Sequence, residues 1–174
     1  MELILKRCPE ILAITPSRWT SLTASIAPEL LSRPPAPGQW SALECLQHLV
    51  DTERQVFQLR LRVFREGGDI LDFDPGEPGL RPNPHLSPAA LAEEFNACRK
   101  TSLEVVAQLQ PGDLTRSARH DLLGSVTLEA MLHQWGAHDL MHTVQAERAL
   151  MQPFILGAGP WQPTFDDHVA RRGS

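Results

Sequence analysis

The chain lacks most of the patterns that identify a function at sight. In 174 residues with a formal charge of -5 there is no basic run or stripe, which excludes the electrostatic footprint of a nucleic-acid binder. Arg60, Arg62 and Arg65 do cluster, but Glu53, Glu66 and Asp69 flank them, and the group reads as a solvated face of mixed charge. No stretch of about twenty apolar residues is present to cross a membrane. The opening MELILKRCPEILAI is interrupted by Lys6, Arg7 and Glu10 and is too short in apolar residues for a secretion signal. The expected location is the cytoplasm. The three cysteines, Cys8, Cys45 and Cys98, are odd in number and form no C-x-x-C, so neither a zinc ribbon nor a disulfide framework is indicated. G-x-S-x-G, P-loop and dinucleotide-binding fingerprints are missing as well. There is no alternating strand pattern of useful length and no internal repeat.

What is abundant is proline, and its distribution outlines the architecture. The 15 prolines group at 34–37, 75–88 and 153–163, leaving long proline-free stretches between them. Because proline lacks the N–H and clashes with the preceding turn, those stretches are the helix candidates. A first helix is expected from about Pro9 or Pro16 to Leu31, with Trp19, Leu22, Ile26 and Leu30 at helical spacing. The second starts at Ser41, where Ser41 and Glu44 fit a capping box, and ends near Glu66 before Gly67-Gly68. Residues 69–87 read as a loop. The third helix begins at the Ser87-Pro88 cap and runs to about Leu109, and the fourth begins at the Thr127 cap and runs to about Leu150. Residues 151–174 read as an irregular tail. The expectation is one all-α domain over 1–174, a four-helix bundle with its core at about 9–150, in which two long connections stop some sequence neighbours from being antiparallel.

Histidines carry the functional signal. On the fourth helix, Leu128, Met131, Trp135, His138, His142, Ala146 and Ala149 share a stripe about 100° wide, and His133 lies nearly opposite, toward solvent. His138 and His142 therefore face the core together. Buried imidazoles need partners, and either a structural hydrogen bond or a metal ion can supply one. A third ligand would come from another helix, and His48 is the best-placed candidate. It sits at the edge of its stripe, which suits either a ligand beside a cleft or an ordinary surface histidine. His85, His120 and His168 fall in expected loops or the tail and read as exposed.

Three neutral imidazoles favour Zn²⁺, Ni²⁺, Fe²⁺ or Cu²⁺ over oxygen-preferring Mg²⁺ or Ca²⁺. Three protein ligands also leave a coordination position open, as catalytic sites do, and a divalent ion there can lower the pKa of a coordinated water. The segment His138-Asp139-Leu140-Met141-His142 lacks the glutamate of H-E-x-x-H, so this is not a zincin and the catalytic base is unknown. Glu44 and Asp139 are near in sequence to the candidate ligands, with helix capping and second-sphere hydrogen bonding as their first readings. Cys45, three residues before His48, reads as a core residue, since nothing around it in sequence would lower its pKa.

Two segments resemble the DinB-like superfamily, which includes metal-dependent hydrolases and bacillithiol- and mycothiol-dependent enzymes. One runs from Pro37-Gly38-Gln39-Trp40-Ser41 through His48-Leu49-Val50-Asp51-Thr52-Glu53. The other joins Leu123-Gly124-Ser125-Val126-Thr127-Leu128 to His138-Asp139-Leu140-Met141-His142-Thr143-Val144-Gln145. The likeness spans about Leu12 to Ala149. It implies an up-down-down-up bundle, often a homodimer, with a divalent transition metal, zinc or nickel first and iron next, held by His48, His138 and His142. It further implies a metal-dependent hydrolase or thiol S-transferase acting on a small molecule, such as a low-molecular-weight thiol. Met141 departs from the polar or basic residue frequent between the two histidines, which bears on thiol recognition. The competing expectation is a non-catalytic metal-binding or dimeric interaction module.

Overall fold

A computed structural model describes residues 2–71 and 86–170. Its frame is four long rods. Helix α1 spans Glu2–Ser25 and is followed by a single turn, α2, at Pro28–Leu31. The second rod is α3 (Ala42–Thr52), a π-helical turn at Glu53–Phe57 and α4 (Gln58–Glu66). Helix α5 spans Pro88–Val106 and α6 spans Leu128–Gly157. A 3₁₀ turn at Pro111–Thr115 and a 3₁₀ segment at Gly159–His168 complete the helical elements among the described residues.

The rod ends are dictated locally. The Ser41 backbone N–H donates to Glu44 Oε2 at 2.7 Å and the Glu44 N–H returns to Ser41 Oγ at 3.3 Å, closing the expected capping box. Ser87 Oγ and Thr127 Oγ1 accept from the Ala90 and Ala130 amides at the starts of α5 and α6. Gly67, at φ 89°, takes the chain out of α4 through backbone that L side chains avoid.

Two apolar clusters set the direction of each rod. One gathers Cys8, Leu12, Phe57, Leu61, Val106, Leu132 and Trp135, among others. The second gathers Trp19, Leu46, Leu49, Leu91, Phe95, Ala146 and Leu150. Along the chain, α1 and α6 run from the first cluster to the second, while the α3–α4 rod and α5 run back. This is the up-down-down-up arrangement of a four-helix bundle.

Several expectations need correction. Helix α1 starts before both Pro9 and Pro16 and contains them, because burial of Ile4, Cys8, Leu12 and Trp19 along its length outweighs the lost amide bonds. It ends at Ser25, and Pro28 opens α2 instead of lying inside one continuous helix. Helix α5 stops at Val106, three residues short of Leu109. Helix α6 continues through Pro153 to Gly157. Of the tail expected to be irregular, the described residues 151–170 are ordered by α6 and the 3₁₀ segment, and Gln152 ties them down, donating to His168 O at 2.9 Å and accepting from the Ala170 amide at 2.8 Å; residues 171–174 lie outside the described residues. A small sheet also exists, with β1 (Asp69–Ile70) parallel to β2 (Ser117–His120) and β2 antiparallel to β3 (Gly124–Thr127). Strands of two to four residues are too short to show an alternating pattern in sequence. Of the expected loop at 69–87, residues 72–85, including His85, lie outside the described residues.

Candidate metal centre

His48 comes from the middle of α3, and His138 and His142 from adjacent turns of α6, where the two helices pack. One ring nitrogen from each lies within 4.8 Å of the others. His48 Nε2 and His138 Nε2 are 3.1 Å apart. Two nitrogens bound to one ion at roughly 2.0–2.1 Å stand about 3 Å apart at angles between octahedral and tetrahedral. The same separation suits an N–H···N hydrogen bond, but a single such bond does not account for the third ring, whose centroid is 4.5 Å from each of the other two.

His48 and His142 are buried and His138 is half-buried. Burial, with the charge of His142, pushes the His48 imidazole down to about 4. Burial, then His142, His48, Arg99 and Arg60, pushes His138 down to about 3. Burial also lowers His142, partly opposed by its hydrogen bond to Gln145 and the charge of Asp139. All three rings are therefore neutral near pH 7, the form in which imidazole offers a lone pair to a metal.

The surroundings orient the rings unequally. His142 Nδ1 is 2.9 Å from Gln145 Oε1, so the Nδ1–H donates and Nε2 carries the free lone pair. The Nδ1 atoms of His48 and His138 are buried without a hydrogen-bond partner among the described residues. Trp40, just ahead of the α3 cap, lies near-parallel to His142, with centroids 5.6 Å apart and planes at 20°. It is also 4.7 Å from His48. Trp40 lines a cavity of about 930 Å³ bounded by α6 and the tail residues Asp166–Ala170. A second cavity of about 440 Å³ has His48 and His138 in its wall.

Below the histidines is a buried ionic layer. Arg99 of α5, 1% exposed, binds both oxygens of Asp139 at 2.6 and 3.0 Å and Glu53 Oε2 at 2.9 Å. Its Nη1 also donates to the Leu12 carbonyl at 3.0 Å, and the guanidinium stacks 4.8 Å from the Phe95 centroid. Burial by itself would lower the Arg99 pKa; the hydrogen bond and charge of Asp139, then Glu53, outweigh it and leave it raised. Glu53 and Asp139 are fully buried.

His133 and His168 are exposed, as expected. His120 is not: it lies in β2, 5% exposed. Glu53 is a core residue and Arg60 is half-buried, so the expected mixed-charge face holds only for members such as Arg62, Arg65, Glu66 and Asp69. Glu44 is a cap and Asp139 is held by Arg99, not by a histidine ring. Cys45 is buried in the core, and burial with the nearby Glu44 charge pushes its thiol up to about 12. The Arg99–Glu53–Asp139 layer escaped sequence reading. The signal available was a pair of acids near the histidines, Glu53 five residues after His48 and Asp139 directly after His138, but nothing local marks Arg99 as their partner.

The edge position of His48 has a structural cause. The π turn at Glu53–Phe57 inserts into the second rod and shifts the phase of everything after it, by roughly 100° per added residue. A single helical stripe drawn across 43–64 averages two faces. Taken over α3 alone, His48 is buried together with Cys45, Leu46 and Leu49.

A model of the DinB superfamily matches residues 11–146. The chain belongs to that superfamily. Among solved structures, the bundle is similar to YfiT from Bacillus subtilis, described as a probable metal-dependent hydrolase with an unusual four-helix bundle topology, at 15% identity and a TM-score of 0.72, covering 86% of this chain and 87% of that one. At that identity the likeness establishes the shared fold. No curated protein matches the sequence. Among the described residues, no helix is long and apolar enough to cross a membrane.

Proposed function

We propose that the protein is a metal-dependent enzyme acting on a small molecule, with His48, His138 and His142 holding one divalent transition ion. The observation that carries this is the convergence of three neutral, desolvated imidazoles from two rods on one point. An all-nitrogen donor set suits zinc, nickel, iron or copper, and the family resemblance puts zinc or nickel first, with iron next. When bound, such an ion would supply Lewis acidity to activate a water or a thiol, giving hydrolysis or S-transfer. The chain's own residues do the rest. Gln145 fixes the tautomer of His142. Trp40 covers one side of the trio. The cavity of about 440 Å³ on the His48–His138 side is of a size that admits a small substrate.

The chain works in the cytoplasm, as a homodimer, on this reading. Leu140, Met141 and Val144, 38%, 55% and 57% exposed on α6, support a second copy packing there. The same exposed face favours the alternative of a non-catalytic dimeric module.

Elemental analysis of the purified protein tests the proposal. One equivalent of a transition metal is expected in the native protein and in His133→Ala, and well under half of that in His138→Ala. Chelation should abolish turnover of a thiol, amide or ester found by screening, without unfolding the bundle. Equal metal content in the two variants, or none in the native protein under any loading condition, defeats it.

A further inference from the structure

The two cavities flank the histidine trio, and among the described residues only the smaller has members of the trio in its wall. The cavity of about 930 Å³ stops at Trp40, whose indole lies against His48 and His142. The cavity of about 440 Å³ is walled in part by His48 and His138 themselves. Its deep wall is apolar: Val56, Phe57, Ile70 and Met131 are all buried. The Phe57 ring meets His138 edge-on with centroids 5.4 Å apart, so the apolar wall and the trio are continuous. At the β2–β3 turn, Leu122 and Leu123 line the same cavity and stand 71% and 72% exposed. The polar groups of the wall are committed to protein partners. Thr52 Oγ1 donates to the His48 carbonyl at 2.8 Å. Arg60 stands 3.4 Å from Gln134 Oε1 and 3.5 Å from His120 Nε2. His120 Nδ1 faces Asp121 Oδ1 at 3.0 Å and the Leu122 amide at 3.2 Å.

We propose that the smaller cavity takes an uncharged apolar group of the substrate, a single ring or a short alkyl chain, with the reacting bond carried at the end that meets His48 and His138. The inference rests on the reading of the trio as the reacting centre. An apolar group gains free energy from the area it removes from water and needs no polar partner. A charged group in the same place would lose its water, and would have to displace an existing contact of Arg60, His120 or Thr52 to regain a partner. A volume of about 440 Å³, near the lower end for ligand sites, limits the group to one ring or a short chain. Met131, unbranched and flexible, lets the deep wall adapt to either shape. Phe57 and Met131 act as specificity-determining residues, and Trp40 closes the trio off from the larger cavity.

Titration of the chelated protein with straight-chain probes tests this: butanol and hexanol, with hexanoate and hexylammonium as the charged counterparts of hexanol. Hexanol should bind roughly fifteenfold more tightly than butanol, at about fourfold for each added methylene. Hexanoate and hexylammonium should each bind about tenfold or more weakly than hexanol. In proton NMR spectra, hexanol should shift the ring protons of His48 and His138 and leave those of exposed His133 in place. Val126→Trp in the wall and Ala130→Phe at its exposed edge fill the cavity from two elements, and each should weaken hexanol about tenfold or more. Circular dichroism checks that both variants fold; should Val126→Trp fail to, Ala130→Phe decides. Butanol and hexanol bound alike, hexanoate bound more tightly than hexanol, or no probe bound at all overturns the inference. So does a shift that spares His48 and His138, or undiminished hexanol binding in a folded variant. The apolar site is thus decided without the metal. The metal content of the unchelated protein, measured separately, decides the trio, so failure of one reading is not mistaken for failure of the other.

Discussion

Replacing Arg99 with Met probes the element on which the middle of the bundle depends. The side chain is 1% exposed and ties α5 to Asp139 of α6, to Glu53 of the π turn and to the Leu12 carbonyl of α1. Methionine fits the volume of the stem but leaves two fully buried carboxylates without their shared cation. Removing one member of a buried ionic group costs roughly 3–5 kcal/mol, mostly through the charges left behind. For a domain whose total stability is about 5–15 kcal/mol, that is a large fraction. At roughly 2–4 °C per kcal/mol for a chain of this size, Tm should fall by about 6–20 °C at pH 7. A further measurement shows whether the stranded charges are the cause. The triple variant Arg99→Met, Glu53→Met, Asp139→Leu should recover most of the loss, because an apolar group of similar volume needs no charge partner. Thermal and urea unfolding followed by circular dichroism reads both. A single variant within about 1 kcal/mol of the native protein, or a triple variant no more stable than the single one, refutes the reasoning.

Thiol labelling should report burial directly. Cys8 and Cys45 are both pushed up to about 12 by burial first, so only about one in ten thousand molecules carries either thiolate at pH 8. Half-buried Cys98 should therefore label alone in the native protein, and all three should label in denaturant; two or more fast-reacting native thiols would show the core to be wrong. Acid should weaken the chelated, metal-free bundle. The fold holds His48 at about 4 and His138 at about 3, whereas the unfolded chain protonates near 6.5, so the unfolded state binds more protons below that value. Stability should fall as pH drops from about 6.5 toward 4, and a Tm flat across that window counts against buried neutral imidazoles.

The comparison of expectation with structure divides along interaction range. The Ser41, Ser87 and Thr127 caps and the Gly67 exit were readable because each is a contact between residues at most four apart. The pairing of His138 with His142 on an inward face was readable for the same reason, since one helical turn sets it. Proline was a less reliable guide: Pro9, Pro16 and Pro153 sit inside helices because packing along α1 and α6 outweighs the local cost. The resemblance to the superfamily, and not the helical wheel, singled out His48; the wheel was confounded by a π turn that no local pattern in Glu53–Phe57 betrays.

By itself, then, the sequence determined where the rods begin, which of their faces are apolar and which histidines of α6 turn inward, because those properties follow from helix geometry within a turn or two. Only the tertiary structure decided that His48 meets His138 across 90 positions of chain, and that Arg99 finds Glu53 and Asp139 at separations of 46 and 40. It also decided that His120 is buried beside Arg60, though a loop was expected there. Such contacts depend on how whole helices cross and slide against one another. That is fixed by the summed burial of two apolar clusters, a quantity that no short window of residues contains.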